Sequence, residues 1–142
     1  MSKQDMCSVL NEAIALAMFL LQKNGEFHPF AVVLTRQGEM RHKQAWTQHC
    51  SSSADQIREL LRSGLRRYGL QEAYRATAVV SDTRLRPIDG GSSRDAIRVE
   101  IEDAAEPPVT CYLPYMFDSG QVRPGEIMAE RGKAFIFKEI WA

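Results

Sequence analysis

Residues 24–34 read Asn24-Gly25-Glu26-Phe27-His28-Pro29-Phe30-Ala31-Val32-Val33-Leu34. Asn and Gly tolerate the left-handed backbone conformation that ends many helices. Pro29 lacks a backbone N–H and therefore suits the first position of a strand. The apolar run that follows Pro29 predicts a buried strand. A helix that passes directly into a buried strand is typical of an α+β domain.

The residues before this stretch predict one long amphipathic helix. Its apolar positions follow the i, i+3, i+4, i+7 spacing of a helix with one buried stripe: Met6, Val9, Leu10, Ala13, Ile14, Ala17, Leu20 and Leu21. Met18 and Phe19 lie off this stripe. We therefore expect the helix to touch a second apolar surface.

The remaining elements predict a single α+β domain over residues 1–142. After strands at 30–35 and 40–46, Ser53 and Gln56 have the spacing of a capping box that opens a second helix. Further strands are predicted at 76–85, 96–102, 109–113 and 134–137, the last near the C-terminus. The order α-β-β-α-β-β-β predicts a mainly antiparallel sheet of five or six strands, with two helices packed on one face.

One of these strands has a clear alternation of apolar and charged residues. Ile97, Val99 and Ile101 predict its buried side, and Arg98, Glu100 and Glu102 alternate with them. We therefore expect Glu100 and Glu102 to lie on a solvated face.

Composition excludes several classes of function. The formal net charge is zero, with 18 basic and 18 acidic residues, whereas a nucleic-acid binder normally has an excess of basic residues. The apolar run from Met6 to Leu21 contains Asn11 and Glu12 and is shorter than a membrane span. Three cysteines, an odd number without paired spacing, favour a reducing compartment. We expect a soluble cytoplasmic protein with no nucleic-acid or membrane partner.

The stretch Gly25-Glu26-Phe27-His28-Pro29-Phe30-Ala31-Val32 resembles the opening of small uncharacterised bacterial α+β domains. Their shared pattern extends through Asp95-Ala96-Ile97 and Leu113-Pro114-Tyr115. The order of helices and strands also resembles roadblock and longin-like folds. The second resemblance implies a dimerising scaffold, and neither implies a catalytic residue.

Soft metal ligands concentrate only at His42, His49 and Cys50. A zinc site needs three or four converging donors, usually with a short paired spacing, and neighbouring residues such as His49 and Cys50 rarely chelate together. Cys50 near a helix N-terminus also suggests an activated thiol, but no oxyanion-hole motif accompanies it. We expect no metal, no cofactor and no catalytic residue here.

Asp82 follows a dense apolar run, so burial of its carboxylate is expected to shift the pKa. Arg84 shares its strand face and can pair with it. A structural Asp–Arg pair is one interpretation. The other is a pocket of a small enzyme or ligand-binding domain, in which Asp82, Arg84 and Tyr115 act as acid, orienting cation and hydroxyl.

Arg58, Arg62 and Arg66 recur at i, i+4, i+8 along the second helix and predict an exposed basic ridge. This ridge is a candidate partner surface, as are Met18 and Phe19. The apolar surplus predicts a non-enzymatic association module that binds itself or another protein: Met18, Phe19, Tyr112, Tyr115, Met116 and Trp141. The alternative function is the pocket at Asp82, Arg84 and Tyr115.

Overall fold

The structure is a computed structural model that describes residues 2–44, 53–70, 74–86 and 92–137. Two helices and seven strands occur in these ranges: α1 (Ser2–Asn24), β1 (Phe30–Thr35), β2 (Met40–Lys43), α2 (Ala54–Leu70), β3 (Tyr74–Leu85), β4 (Arg94–Asp103), β5 (Val109–Asp118), β6 (Gln121–Pro124) and β7 (Met128–Arg131). The predicted fold class, α+β with an antiparallel sheet, is confirmed. The sheet has more strands than the five or six expected.

The strands form one antiparallel sheet in the order β2-β1-β3-β4-β5-β6, and β7 also pairs with β5. β3 lies at the centre between β1 and β4, with Val32 opposite Ala78 and Val80 opposite Val99. Every residue of β1 is buried. This agrees with the apolar run after Pro29.

The junction between α1 and β1 is confirmed in detail. Gly25 has a φ of 79°, and its N–H donates to the Leu21 carbonyl at 2.8 Å. Glycine has no Cβ and adopts a positive φ without steric strain, so it ends a helix at little cost in free energy. Phe27 is buried beside Phe30, with the two rings 5.7 Å apart in an edge-to-face arrangement.

The buried stripe of α1 packs on one face of the sheet. Val9, Ala13, Ala17 and Leu21 are fully buried against the even-numbered residues of β1 and β3 and the odd-numbered residues of β4 and β5. By length and composition alone α1 is apolar enough to cross a bilayer. Core helices pass the same test, and in this structure the stripe faces the sheet.

The second helix packs on the opposite face, so the prediction that both helices share one face is wrong. Leu61 and Leu65 contact Ala31, Val33 and Val79, whose side chains point away from α1. Amphipathicity shows that a helix has a buried side, but it does not specify which face of a sheet receives that side. The domain therefore has three layers, α1, the sheet and α2.

The C-terminal part also differs from the prediction. The strand expected at 134–137 is absent: residues 132–137, here called the C-terminal strap, have no strand pairing. Instead β5 extends to Asp118 and turns at Ser119 and Gly120, both with positive φ, into β6. This geometry is that of a tight hairpin turn. The part of the second strand that was predicted at 45 and 46 lies outside the described residues.

Candidate functional site

The predicted pocket residues converge only in part. The Tyr115 hydroxyl donates to Asp82 Oδ1 at 2.8 Å, reaching from β5 across β4 to β3. Arg84 instead donates through Nε to Asp95 Oδ1 at 3.1 Å, and its side chain is 71% exposed. The orienting cation of the proposed pocket is therefore engaged elsewhere, on the surface.

The Asp82–Tyr115 pair is nevertheless electrostatically distinctive. Burial raises the pKa of Asp82, and the hydrogen bond from Tyr115 opposes that rise. Burial also raises the pKa of Tyr115, and the hydrogen bond to Asp82 raises it further. Tyr115 therefore acts as a hydrogen-bond donor to the carboxylate rather than as a base. A ligand-binding role for this pair stays a prediction.

The basic ridge is not exposed, and that prediction is wrong. Arg62 is buried, and Arg58 and Arg66 are partly buried. Arg58 Nε donates to Glu100 Oε1 at 2.6 Å, and Arg62 Nη2 donates to the other oxygen of the same carboxylate. The expectation of a solvated face for Glu100 fails for the same reason, because α2 covers that side of β4.

Opposing effects set the charge of Glu100. Burial alone raises the pKa of its carboxyl group, but the hydrogen bond from Arg58 and the charges of Arg62 and Arg58 hold the pKa below its ordinary value. Glu100 therefore stays ionised at neutral pH and neutralises the helix arginines from inside the fold. Their role is to attach α2 to the sheet.

Glu102 was also expected on a solvated face, but it is only 3% exposed. Its Oε1 accepts the backbone N–H groups of Phe135, Ile136 and Phe137 at 2.7, 2.9 and 3.2 Å. The Arg62 guanidinium lies 3.8 Å from the centroid of the Phe135 ring. Together these contacts fix the C-terminal strap to the α2 side of the sheet.

The candidate partner residues on α1 have different environments. Met18 is partly buried against the core, whereas Phe19 is 59% exposed. Phe19 belongs to a row of exposed residues at four-residue spacing, Cys7, Asn11, Ala15 and Phe19, here called the outer row. These four side chains are uncharged, and the same spacing continues to the exposed Lys3 before the row and the exposed Lys23 after it. The ammonium group of Lys23 lies 5.8 Å from the centroid of the Phe19 ring.

The acidic residues that flank the outer row are engaged within the domain. The Asp5 carboxylate pairs with Arg75 at 2.7 Å, and the Glu12 carboxylate lies 2.6 Å from His42 Nε2. Both contacts draw the carboxylates toward the sheet. The charged groups left on the outward surface of α1 include the ammonium groups of Lys3 and Lys23, which lie near the two ends of the outer row.

A shallow depression of about 550 Å³ lies at the start of the same helix. Its lining residues are Lys3, Gln4, Asp5, Cys7, Ser8 and Asn11. Two members of the outer row, Cys7 and Asn11, thus form part of the depression. The sequence analysis singled out Phe19 but missed this row. The signal in the sequence is a set of uncharged residues at four-residue spacing on the side of α1 opposite the buried stripe.

A second group of exposed apolar side chains lies on the β5–β6 hairpin and the chain that follows it. Met116, Phe117, Ile127 and Met128 are between 47% and 64% exposed. Gln22 ties this hairpin to α1 through bonds to Gly120 O and Val122 N, both of 2.9 Å. Of the other surplus residues, Tyr115 is buried, Tyr112 is partly buried, and Trp141 lies outside the described residues.

The soft-ligand cluster is described only in part. His42 contacts Glu12, as above, while His49 and Cys50 lie outside the described residues. Within the described ranges no three His, Cys, Asp or Glu side chains are grouped so as to hold a metal ion.

Comparison with known proteins adds no assignment: no family model, no curated protein and no solved structure matches this chain.

Proposed function

We propose that this chain is a non-enzymatic association domain that forms a homodimer in the cytoplasm. The observation that carries the proposal is the 59% exposure of Phe19 within the uncharged outer row of α1. An exposed aromatic ring on a rigid helix supplies a large apolar contact area at low conformational cost.

The charge balance of the chain favours a second copy as the partner. The formal net charge is zero and the sequence pI is about 6.8, so two copies do not repel each other near neutral pH. Homo-oligomers with twofold symmetry are also the commonest assemblies. The acidic groups that flank the outer row, Asp5 and Glu12, are already engaged within one copy.

Sedimentation equilibrium of the unmodified chain over a concentration series tests the proposal. We expect the weight-average mass to rise from 16.1 kDa toward twice that value, with a dissociation constant on the order of tens of micromolar, typical of a modest interface. A mass that stays at the monomer value up to several hundred micromolar would contradict the proposal. Pull-down of a different protein by such a monomer would point to a heterologous partner instead.

A further inference from the structure

We draw no further inference here: the strongest candidate, the patch of exposed apolar side chains at Met116, Phe117, Ile127 and Met128 on the β5–β6 hairpin and the chain that follows it, carries nothing because nothing in the described part of the chain shows what covers it.

Discussion

Glu100 joins α2 to the sheet through a single carboxylate. Its two oxygens accept hydrogen bonds from Arg58 and Arg62, and the three side chains are only 9–17% exposed. Removing Glu100 leaves Arg58 and Arg62 paired, among the described residues, only with the exposed carboxylates of Asp55 and Glu59 on α2 itself, although both arginine side chains are largely buried. Breaking the cluster is therefore expected to lower the free energy of unfolding by more than the loss of its hydrogen bonds alone.

We predict that Glu100→Gln lowers the free energy of unfolding by about 3 kcal/mol, the lower end of the range for breaking a buried ion pair. Urea denaturation at neutral pH measures the effect. Asp95→Asn, which breaks the exposed pair with Arg84, is the matched control and is expected to cost less than about 1 kcal/mol. Equal effects for the two variants would show that the Glu100 cluster behaves as an ordinary surface pair.

The pH dependence of this effect has a definite sign. The folded state holds the pKa of Glu100 below the ordinary value of 4.5, so its ionised form stabilises the fold above that value. This stability is lost as the pH falls through the lowered pKa. The stability difference between wild type and Glu100→Gln is therefore expected to be largest near pH 7 and to shrink below about pH 4.5. A difference that grows toward acid pH would contradict this assignment.

The sequence predicted local features of such residues but not their distant partners. The alternation in β4 correctly separated Ile97, Val99 and Ile101 from Glu100 and Glu102. It could not show that α2 covers the charged side, because the partner of Glu100 lies 42 residues away. The four-residue spacing of the arginines on α2 could not show whether they face solvent or the sheet, because both arrangements have the same helical period.

Helices and strands with strong local signals were predicted well. Gly25 ends α1 as expected, and the capping box forms, with Ser53 N donating to Gln56 Oε1 at 2.9 Å and Gln56 N donating to Ser53 Oγ at 3.2 Å. The C-terminal strap was mistaken for a strand because Phe135-Ile136-Phe137 is a dense apolar run. Its backbone N–H groups bond to one side-chain oxygen instead of to a neighbouring strand.

We predict that Glu102→Ala detaches this strap and lowers the free energy of unfolding by about 3 kcal/mol, because three N–H groups lose their acceptor at roughly 1 kcal/mol or more each. Glu102→Gln is expected to cost less, since its amide oxygen still accepts. Hydrogen exchange at Phe135, Ile136 and Phe137 should accelerate in the alanine variant. The exposed Glu126→Ala serves as control, and unchanged exchange at the strap in Glu102→Ala would contradict the anchoring role.

The whole molecule has two faces with different uses. Each helix buries its apolar stripe against the sheet, and α2 adds the ionic cluster around Glu100. The outer side of α1 has no comparable contact within the described residues. We therefore assign the interior charges to stability, and the outer side of α1 is the surface that we propose for association.

The sequence showed that Phe19 lies off the buried stripe, but the second apolar surface expected to contact it is not seen within the described residues, where Phe19 is 59% exposed. A row of exposed side chains can be recognised as a candidate surface only when the fold shows which neighbouring side chains are already paired. Here Asp5 and Glu12 turn toward Arg75 and His42, and that leaves Cys7, Asn11, Ala15 and Phe19 outward. The depression at the helix start depends on the same side-chain placement.

The most direct measurement of the proposed association compares sedimentation equilibrium of the wild-type chain with that of Phe19→Ser and Met116→Ser. Phe19 is 59% exposed on α1, and Met116, 64% exposed on the β5–β6 hairpin, is the matched control. We expect the wild type and Met116→Ser to dimerise with similar dissociation constants, and Phe19→Ser to weaken association by about tenfold or more, because burial of an aromatic side chain contributes about 1.5–3 kcal/mol. A wild-type chain that stays monomeric, or a dimer whose dissociation constant is unchanged by Phe19→Ser, would contradict the proposal.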